Sequence, residues 1–280
     1  MRTVILDGDI PIFQFAQSAE EATDWGNGFW TLHADENEAI QSLDGWIAKL
    51  QEAVEADKLI VALSHANNFR YDVLPSYKHN RSDKRQPMLR PVLKQHIEDN
   101  YDVYKKDGLE GDDVLGILAT HPTLIKGTKI MATIDKDLKT IPGHHYRWAT
   151  KTADSVIYEV TEEEADLFHL IQTLAGDTTD GYSGCQGIGM VVAERILRDD
   201  PHVIVDEPHL ITRGKDKGKE GSKWVKKYDA SITPWQTVLS YFLKADLTEA
   251  HALQQARVAR ICRNTDYNFK EKRVELWTPQ

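Results

Sequence analysis

Thr3-Val4-Ile5-Leu6-Asp7-Gly8-Asp9 and Ile130-Met131-Ala132-Thr133-Ile134-Asp135-Lys136-Asp137 share one design: a short apolar run that stops at a pair of aspartates. A run with no polar alternation predicts a strand buried on both faces, as in a parallel sheet. Residues 58–63, Lys-Leu-Ile-Val-Ala-Leu, read the same way. Two more acidic clusters follow the pattern less strictly. Glu110-Gly111-Asp112-Asp113 leads a predicted helix, and Asp177-Thr178-Thr179-Asp180 follows Leu170-Ile171-Gln172-Thr173-Leu174. If the runs are buried, the acids at their ends gather at one edge of the core. Like charges there are unfavourable unless a cation holds them. An all-oxygen donor set suits Mg²⁺ or Mn²⁺.

Helical signals alternate with the strands. Pro11 stands near the start of a helix or turn over 9–21. Ile40, Leu43, Ile47, Leu50 and Val54 mark a helix over 36–56. A helix is predicted over 87–98 and another over 112–119, with short strands at 101–104, 129–134, 145–148 and 155–160. The polar, basic stretch 74–85 has no period and reads as a loop or mobile arch. Beyond residue 160, Thr161 with Glu164 forms a capping-box pattern opening a helix to about 174. A glycine-rich turn spans 176–189, helices are predicted at 190–197, 234–243 and 248–262, and a glycine–lysine hairpin at 214–221. The fold class is therefore α/β, with a mostly parallel central sheet flanked by helices. The predicted division is a core over 1–160, with a basic arch at about 74–98, and a helical part over 161–280, with a basic hairpin at about 212–227.

A chain of 280 residues is long enough for one large domain or a core with an appendage. No apolar stretch approaches the ~18 residues of a spanning helix, and the N-terminus enters a strand at once. Both point away from a membrane and towards the cytoplasm. Cys185 and Cys262, the two cysteines, form neither a metal motif nor a disulfide framework, which fits a reducing compartment. The net charge of −10 argues weakly against a polyanionic partner, but its distribution does not. Lys78, Arg81, Lys84, Arg85, Arg90 and Lys94 face one Asp83. Arg213, Lys215, Lys217, Lys219, Lys223, Lys226 and Lys227 face Asp216 and Glu220. Basic patches beside an acid centre filled by cations fit a phosphodiester substrate.

Each acid also has a plainer reading. Asp7 or Asp135 alone reads as a helix cap. One or two acids at 110–113 complement a helix dipole, although three in four positions repel one another. Asp177 and Asp180 would share a face if helical, and Asp177 is equally an Asx-turn residue. Gly187-Ile188-Gly189 ahead of a helix presents N–H groups to a phosphate, a weak signal by itself. Tyr77-Lys78-His79-Asn80-Arg81 offers an aromatic face for base stacking and cations for phosphate. His65, His144 and His145 read as ordinary polar residues more than as ligands. The tryptophans, at 25, 30, 46, 148, 224, 235 and 277, read mostly as packing residues.

With these motifs in this order, the chain resembles the flap endonuclease and 5′-nuclease superfamily, and within it the 5′-to-3′ exonucleases of T-seven-like short-tailed phages. The likeness runs through Leu6 to Asp9, Tyr77 to Arg81, Glu110 to Val114, Asp135 to Pro142, Gly176 to Gly184, Lys223 to Lys226 and Tyr267 to Phe269. The resemblance implies two Mg²⁺ ions, with Mn²⁺ as a substitute. Asp7, Glu110, Asp112 and Asp113 would serve the first, with Asp7 and Asp112 central to catalysis, and Asp135, Asp137, Asp177 and Asp180 the second. It implies that Lys78 and Arg81, with Tyr77, Lys84 and Arg85 nearby, engage the scissile phosphate and the 5′ end. It implies a helix–hairpin–helix-type turn at Gly187 to Gly189, around a K⁺ ion, and further DNA contacts from Lys215, Lys217 and Lys223. The implied activity is 5′-to-3′ hydrolysis of duplex DNA, of RNA in RNA–DNA hybrids and of flaps, for primer removal and host DNA degradation, alongside replication proteins. One departure stands out: Leu63-Ser64-His65-Ala66-Asn67-Asn68 lacks the acid that the family carries after the second core strand. Asp9 is the reverse case, an acid outside the usual ligand set.

Two other classes share some of these features. A haloacid-dehalogenase-like phosphatase would use Asp7 as a covalent phosphoryl acceptor, with Asp9 as its acid, but needs neither the 110–113 cluster nor the basic 78–94 stretch. A catalytically dead DNA-binding module finds support only in Ser64 and His65.

Overall fold

Strand β1 (Arg2–Asp7) is buried from Thr3 to Asp7, as an unbroken apolar run requires. It is followed by α1 (Asp9–Ser18), the hairpin strands β2 (Glu20–Asp24) and β3 (Trp30–Ala34), α2 (Glu36–Ala53) and β4 (Lys58–Leu63). After α3 (Arg70–Val73) come α4 (Arg90–Asn100), β5 (Val103–Lys105), α5 (Gly111–Thr120), β6 (Thr128–Ala132), β7 (Gly143–Arg147) and β8 (Val156–Val160). This computed structural model describes residues 1–81, 84–215 and 217–279. Ser82 and Asp83 of the expected arch, Asp216 of the expected hairpin, and Gln280 lie outside the described residues.

The main sheet has the order β5-β4-β1-β6-β7-β8, with β8 antiparallel to β7 and every other neighbouring pair parallel. The chain passes from β1 to β4 and β5 on one side, then crosses to β6 and β7 on the other. The carboxyl ends of β1 and β6 therefore flank the point where strand order reverses, which is where open α/β sheets bind ligands. Val4 and Leu6 pack with Ile12, Leu43, Ile47, Leu93 and Ile97 from α1, α2 and α4. Ile5 packs on the other face with Leu115 and Leu118 of α5 and with Ile261, Cys262 and Tyr267. Both faces are covered, so β1 shows no polar alternation. Gly8 lets α1 start against β4: a Cβ there would lie 2.4 Å from Val61 Cγ1 and 2.7 Å from Leu63 Cδ2.

The chain forms two compact units. Unit 1 comprises 1–69, 83–162 and 261–275; unit 2 comprises 70–82, 163–260 and 276–280. A single cut at 160/161 misses two excursions. Arg70, 2% exposed, donates through Nε to the Val258 carbonyl at 2.9 Å and through Nη2 to the Arg260 carbonyl at 2.6 Å, which places 70–82 in unit 2. Cys262 donates its N–H to the Asp113 carboxylate, which returns 261–275 to unit 1.

Unit 2 contains α6 (Glu162–Ala175), α7 (Met190–Glu194) with a π-helical extension over Arg195–Asp199, the hairpin β9 (Val203–Leu210) and β10 (Glu220–Lys227), α8 (Pro234–Lys244) and α9 (Glu249–Ala259). Leu170, Ile171, Leu174, Trp235, Phe242 and Ala256 are among its core residues. This part is less helical than its sequence predicts, because β9 and β10 pair over eight residues each. The hairpin β2–β3 has no counterpart in the sequence reading. Trp25 and Trp30 belong to it and are 66% and 59% exposed, so they are not packing residues. Among the described residues no helix is long and apolar enough to cross a membrane.

Candidate metal and nucleic-acid site

In unit 1, the first acidic cluster lies at the strand-order reversal. Asp7 ends β1 and is 3% exposed. Its Oδ2 accepts from Thr133 Oγ1 at 2.8 Å, just past the end of β6. The same Thr133 oxygen accepts from the Asp135 N–H at 2.9 Å, so one hydroxyl links the first and third clusters. Burial, then the charge of Asp9, raises the Asp7 carboxyl to about 7; the Thr133 hydrogen bond opposes this, and Asp135 adds to it. Sequence reading named Asp7 and Asp135 but not Thr133. Its only signal was a polar residue at the end of an apolar run. Asp135 also caps the turn over Lys136–Thr140, its Oδ1 accepting from the Asp137 N–H at 2.8 Å.

The second cluster opens α5, with Glu110 and Asp112 half-buried. Asp113 behaves differently. It is fully buried, and its two oxygens accept from the Glu110 N–H at 3.1 Å and the Cys262 N–H at 3.0 Å. Both oxygens of this expected metal ligand thus accept from backbone donors. Asp113→Ala leaves one buried and one part-buried N–H without this partner, at about 1–3 kcal/mol for each buried group. The expected result is a fall in unfolding free energy of about 3 kcal/mol, read by urea titration. An unchanged urea midpoint would contradict the structural assignment.

The stretch that lacks an acid has its own contacts. Ser64 Oγ accepts from the Gly111 N–H at 2.8 Å, and its carbonyl accepts from Lys94 Nζ at 2.9 Å. His65 Nδ1 lies 3.0 Å from Asp107 Oδ1. His145 is buried, stacks on Tyr158 and bonds through Nε2 to the Ile141 carbonyl; burial holds its pKa below the usual value. Among the described residues, no three His, Cys, Asp or Glu side chains gather around one point. Asp7, Asp113 and Asp135 turn towards N–H or O–H donors instead.

In unit 2, Asp177 and Asp180 belong to a tight turn, not a helix. Asp177 pairs with Tyr182 in an isolated bridge, and its Oδ1 accepts from the Thr179 N–H at 2.6 Å and the Asp180 N–H at 3.3 Å. This is the Asx-turn reading. Gly176 and Gly184 allow the turn to close, since a Cβ on Gly184 would lie 2.2 Å from the Gly176 nitrogen. Residues 77–81 are strapped to it. Asp180 Oδ1 accepts from Arg81 Nη2 at 2.6 Å, and Oδ2 accepts from the Tyr77 hydroxyl at 3.0 Å, with Lys78 Nζ 3.7 Å away. Asn80 and Arg81 donate to the Thr178 and Thr179 carbonyls. Lys78 has φ +53°, an uncommon conformation for a residue with a side chain, and its ammonium lies 4.9 Å from the Tyr77 ring centre. Tyr77 does not offer a face for base stacking. It is 3% exposed and packed with Tyr182, Val258 and Ala259.

The remaining basic residues divide. Arg85 is held by two bonds to Glu20, at 2.5 and 2.7 Å, Lys226 is paired with Asp200, and Lys227 with Glu207. Lys84, Lys215, Lys217 and Lys223 are exposed. Gly187, at φ +81°, and Gly189 have open space where a side chain would be.

Residues 2–169 match the family of the 5′–3′ exonuclease, N-terminal resolvase-like domain. The chain is 34% identical to the exodeoxyribonuclease of Enterobacteria phage T3, over 99% of this chain and 93% of that protein. It is likewise 34% identical to the exonuclease of Escherichia phage T7, with the same coverage. In structure it is similar to the flap endonuclease of bacteriophage T5, crystallised with DNA and metal ions. The TM-score is 0.53 at 19% identity, over 71% of this chain and 75% of that one. That likeness concerns the fold, and the parallel sheet with acids at its carboxyl edge agrees with it. The chain belongs to the phage 5′–3′ exonuclease family.

Proposed function

We propose that the protein is a divalent-metal-dependent exonuclease that hydrolyses duplex DNA from the 5′ end, and the RNA strand of RNA–DNA hybrids, releasing short products. Such an activity serves primer removal and degradation of host DNA. The observation that carries this reading is Asp7: a buried carboxyl at the strand-order reversal, raised to about 7 by burial and by Asp9, with Asp135 adding to the shift. A divalent cation is what relieves such a crowd. The all-carboxylate donor set fits Mg²⁺. Asp7, Glu110 and Asp112 would hold one ion, and Asp135 and Asp137 would serve a second. Asp113 is left out because both its oxygens are engaged in the core.

Bound Mg²⁺, or Mn²⁺, would lower the pKa of a water and take up charge on the leaving 3′ oxygen. The chain's own residues do the rest. Thr133 fixes the Asp7 oxygen that faces it and orients the backbone of Asp135. Lys78 and Arg81 supply positive charge to the phosphate as its negative charge grows. Lys84, Lys215, Lys217 and Lys223 are exposed to meet the DNA backbone, giving an affinity that falls with salt. The open backbone at Gly187 to Gly189 suits close approach of a duplex phosphate.

The test uses a duplex labelled at the 5′ end of one strand, incubated with the protein in Mg²⁺ and separately in EDTA. The expected result is early release of label as short products in Mg²⁺ and none in EDTA. Loss of nucleotides from the 3′ end first, or binding without cleavage even in Mn²⁺, would sink the proposal. Replacing the labelled strand by RNA tests the hybrid activity in the same format.

A further inference from the structure

Asp9, the first residue of α1, is excluded from the ligand set above, yet it has a defined place. Its Oδ2 accepts the Ser64 N–H at 2.8 Å, beyond the end of β4. Ser64 Oγ in turn accepts the Gly111 N–H at 2.8 Å, at the first turn of α5. Lys94 Nζ donates to the Ser64 carbonyl at 2.9 Å. The fit is close: a Cβ on Gly111 would lie 2.9 Å from Asp9 Oδ2 and 3.3 Å from the Ser64 nitrogen. Three segments are thus joined through one serine. Two of them carry the proposed ligands of the first ion: Asp7 lies two residues before Asp9, and Glu110 and Asp112 flank Gly111.

From this geometry we infer that Asp9 and Ser64 form a positioning clamp, which sets the spacing between Asp7 and the Glu110–Asp112 pair and so governs Mg²⁺ binding without itself touching the ion. The inference rests on the metal-dependent reading above. Ser64 is not a substitute for an acid in this role. Its side chain, N–H and carbonyl each hold a different neighbour, and its hydroxyl acts as an acceptor for the start of α5. The relevant property of Asp9 is then its oxygen as an acceptor, which asparagine retains. A ligand role would instead require its charge, which asparagine lacks. Outer groups of this kind typically change metal affinity or activity about 10–100-fold when removed.

The test measures Mg²⁺ binding by calorimetry on the full chain, together with kcat and KM on duplex DNA. The expected result for Asp9→Ala and Ser64→Ala is about tenfold weaker Mg²⁺ binding and a lower kcat at fixed Mg²⁺, with KM for DNA little changed. Asp9→Asn is expected to stay within about threefold of the original protein in both, since the acceptor remains. Urea titration of each variant identifies any that does not fold, and Ser64→Ala, the mildest change, carries the test if Asp9→Ala is lost. Unchanged Mg²⁺ binding in folded Asp9→Ala and Ser64→Ala, beside an original protein that binds Mg²⁺, overturns the clamp. So does Asp9→Asn as impaired as Asp9→Ala, which would make the charge of Asp9, not its oxygen as an acceptor, the property that matters. An original protein that neither binds Mg²⁺ nor cleaves overturns the metal-dependent reading, and the clamp with it.

Discussion

Asp7→Asn is expected to abolish 5′ label release from duplex DNA, by about 10³-fold or more, and at the same time to make the protein more stable in EDTA at pH 8. The two effects have one cause. Asp7 is 3% exposed, and burial, Asp9 and Asp135 together disfavour its charged form. Only the Thr133 hydroxyl and a backbone N–H favour that form. Its folded pKa of about 7 lies above the ordinary carboxyl value of 3.8. A raised carboxyl pKa means that stability is greatest below about pH 4 and is lost as pH rises through about 7. At pH 8 the charge is present and unfavourable, so asparagine removes a cost of about 2 kcal/mol, allowing for relaxation around the charge. In a chain of this size that is a melting temperature higher by about 5 °C. At pH 4 the gain should vanish, because the carboxyl is already neutral. Thermal melts in EDTA at the two pH values, beside 5′ label release in Mg²⁺, check both halves. A variant that keeps its activity would remove Asp7 from the proposed chemistry, and an equal gain at both pH values would remove its charge from the stability argument.

Asp7 could be found in the sequence for the same reason that it is costly. A strand covered on both faces is apolar throughout, so the first acid after it marks the sheet's carboxyl edge. The runs at 3–6, 58–63 and 130–134 therefore placed β1, β4 and β6 to within two residues. Elements without a buried face left no such mark. Glu20-Glu21-Ala22-Thr23-Asp24 forms β2 with four of five residues exposed, and no period distinguishes it from a loop. Long-range partners were equally hidden. Asp113 reads like Asp112 until Cys262, 149 residues later, supplies an N–H to its carboxylate. Tyr77 reads as an exposed aromatic among cations until Tyr182 and Val258 cover it. In both cases residue type and local spacing suggest an open side chain, and a distant segment covers it. Thr133 is the converse, an ordinary strand-end threonine that becomes significant only because β1 and β6 are neighbours.

Lys78→Ala and Arg81→Ala are each expected to lower single-turnover cleavage by about 10²–10³, the usual loss when one preorganised donor to a growing negative charge is removed, while KM for DNA changes by less than about threefold. The strap in unit 2 supports this more than the charges alone. A flexible lysine on a solvated loop meets phosphate anywhere along DNA, and its loss weakens binding in proportion to salt. Lys78 is not such a residue. Its backbone is held at φ +53°, its N–H donates to the Asp180 carbonyl at 2.8 Å, and its ammonium is set over the Tyr77 ring. Arg81 is fixed by Asp180 Oδ1 and the Thr179 carbonyl. Preorganised cations contribute to the transition state more than to ground-state binding, so kcat should carry the loss. Exposed Lys215→Ala and Lys217→Ala should behave in the opposite way, raising KM and flattening its salt dependence at nearly constant kcat. Because Lys78 and Arg81 share Asp180, the double variant should lose less than the product of the two single losses. If Lys78→Ala instead raises KM at constant kcat, as the hairpin lysines should, then the strap shapes unit 2 without directing its cations at the reacting phosphate. In that case the transition-state charge must be met by the metal ions alone.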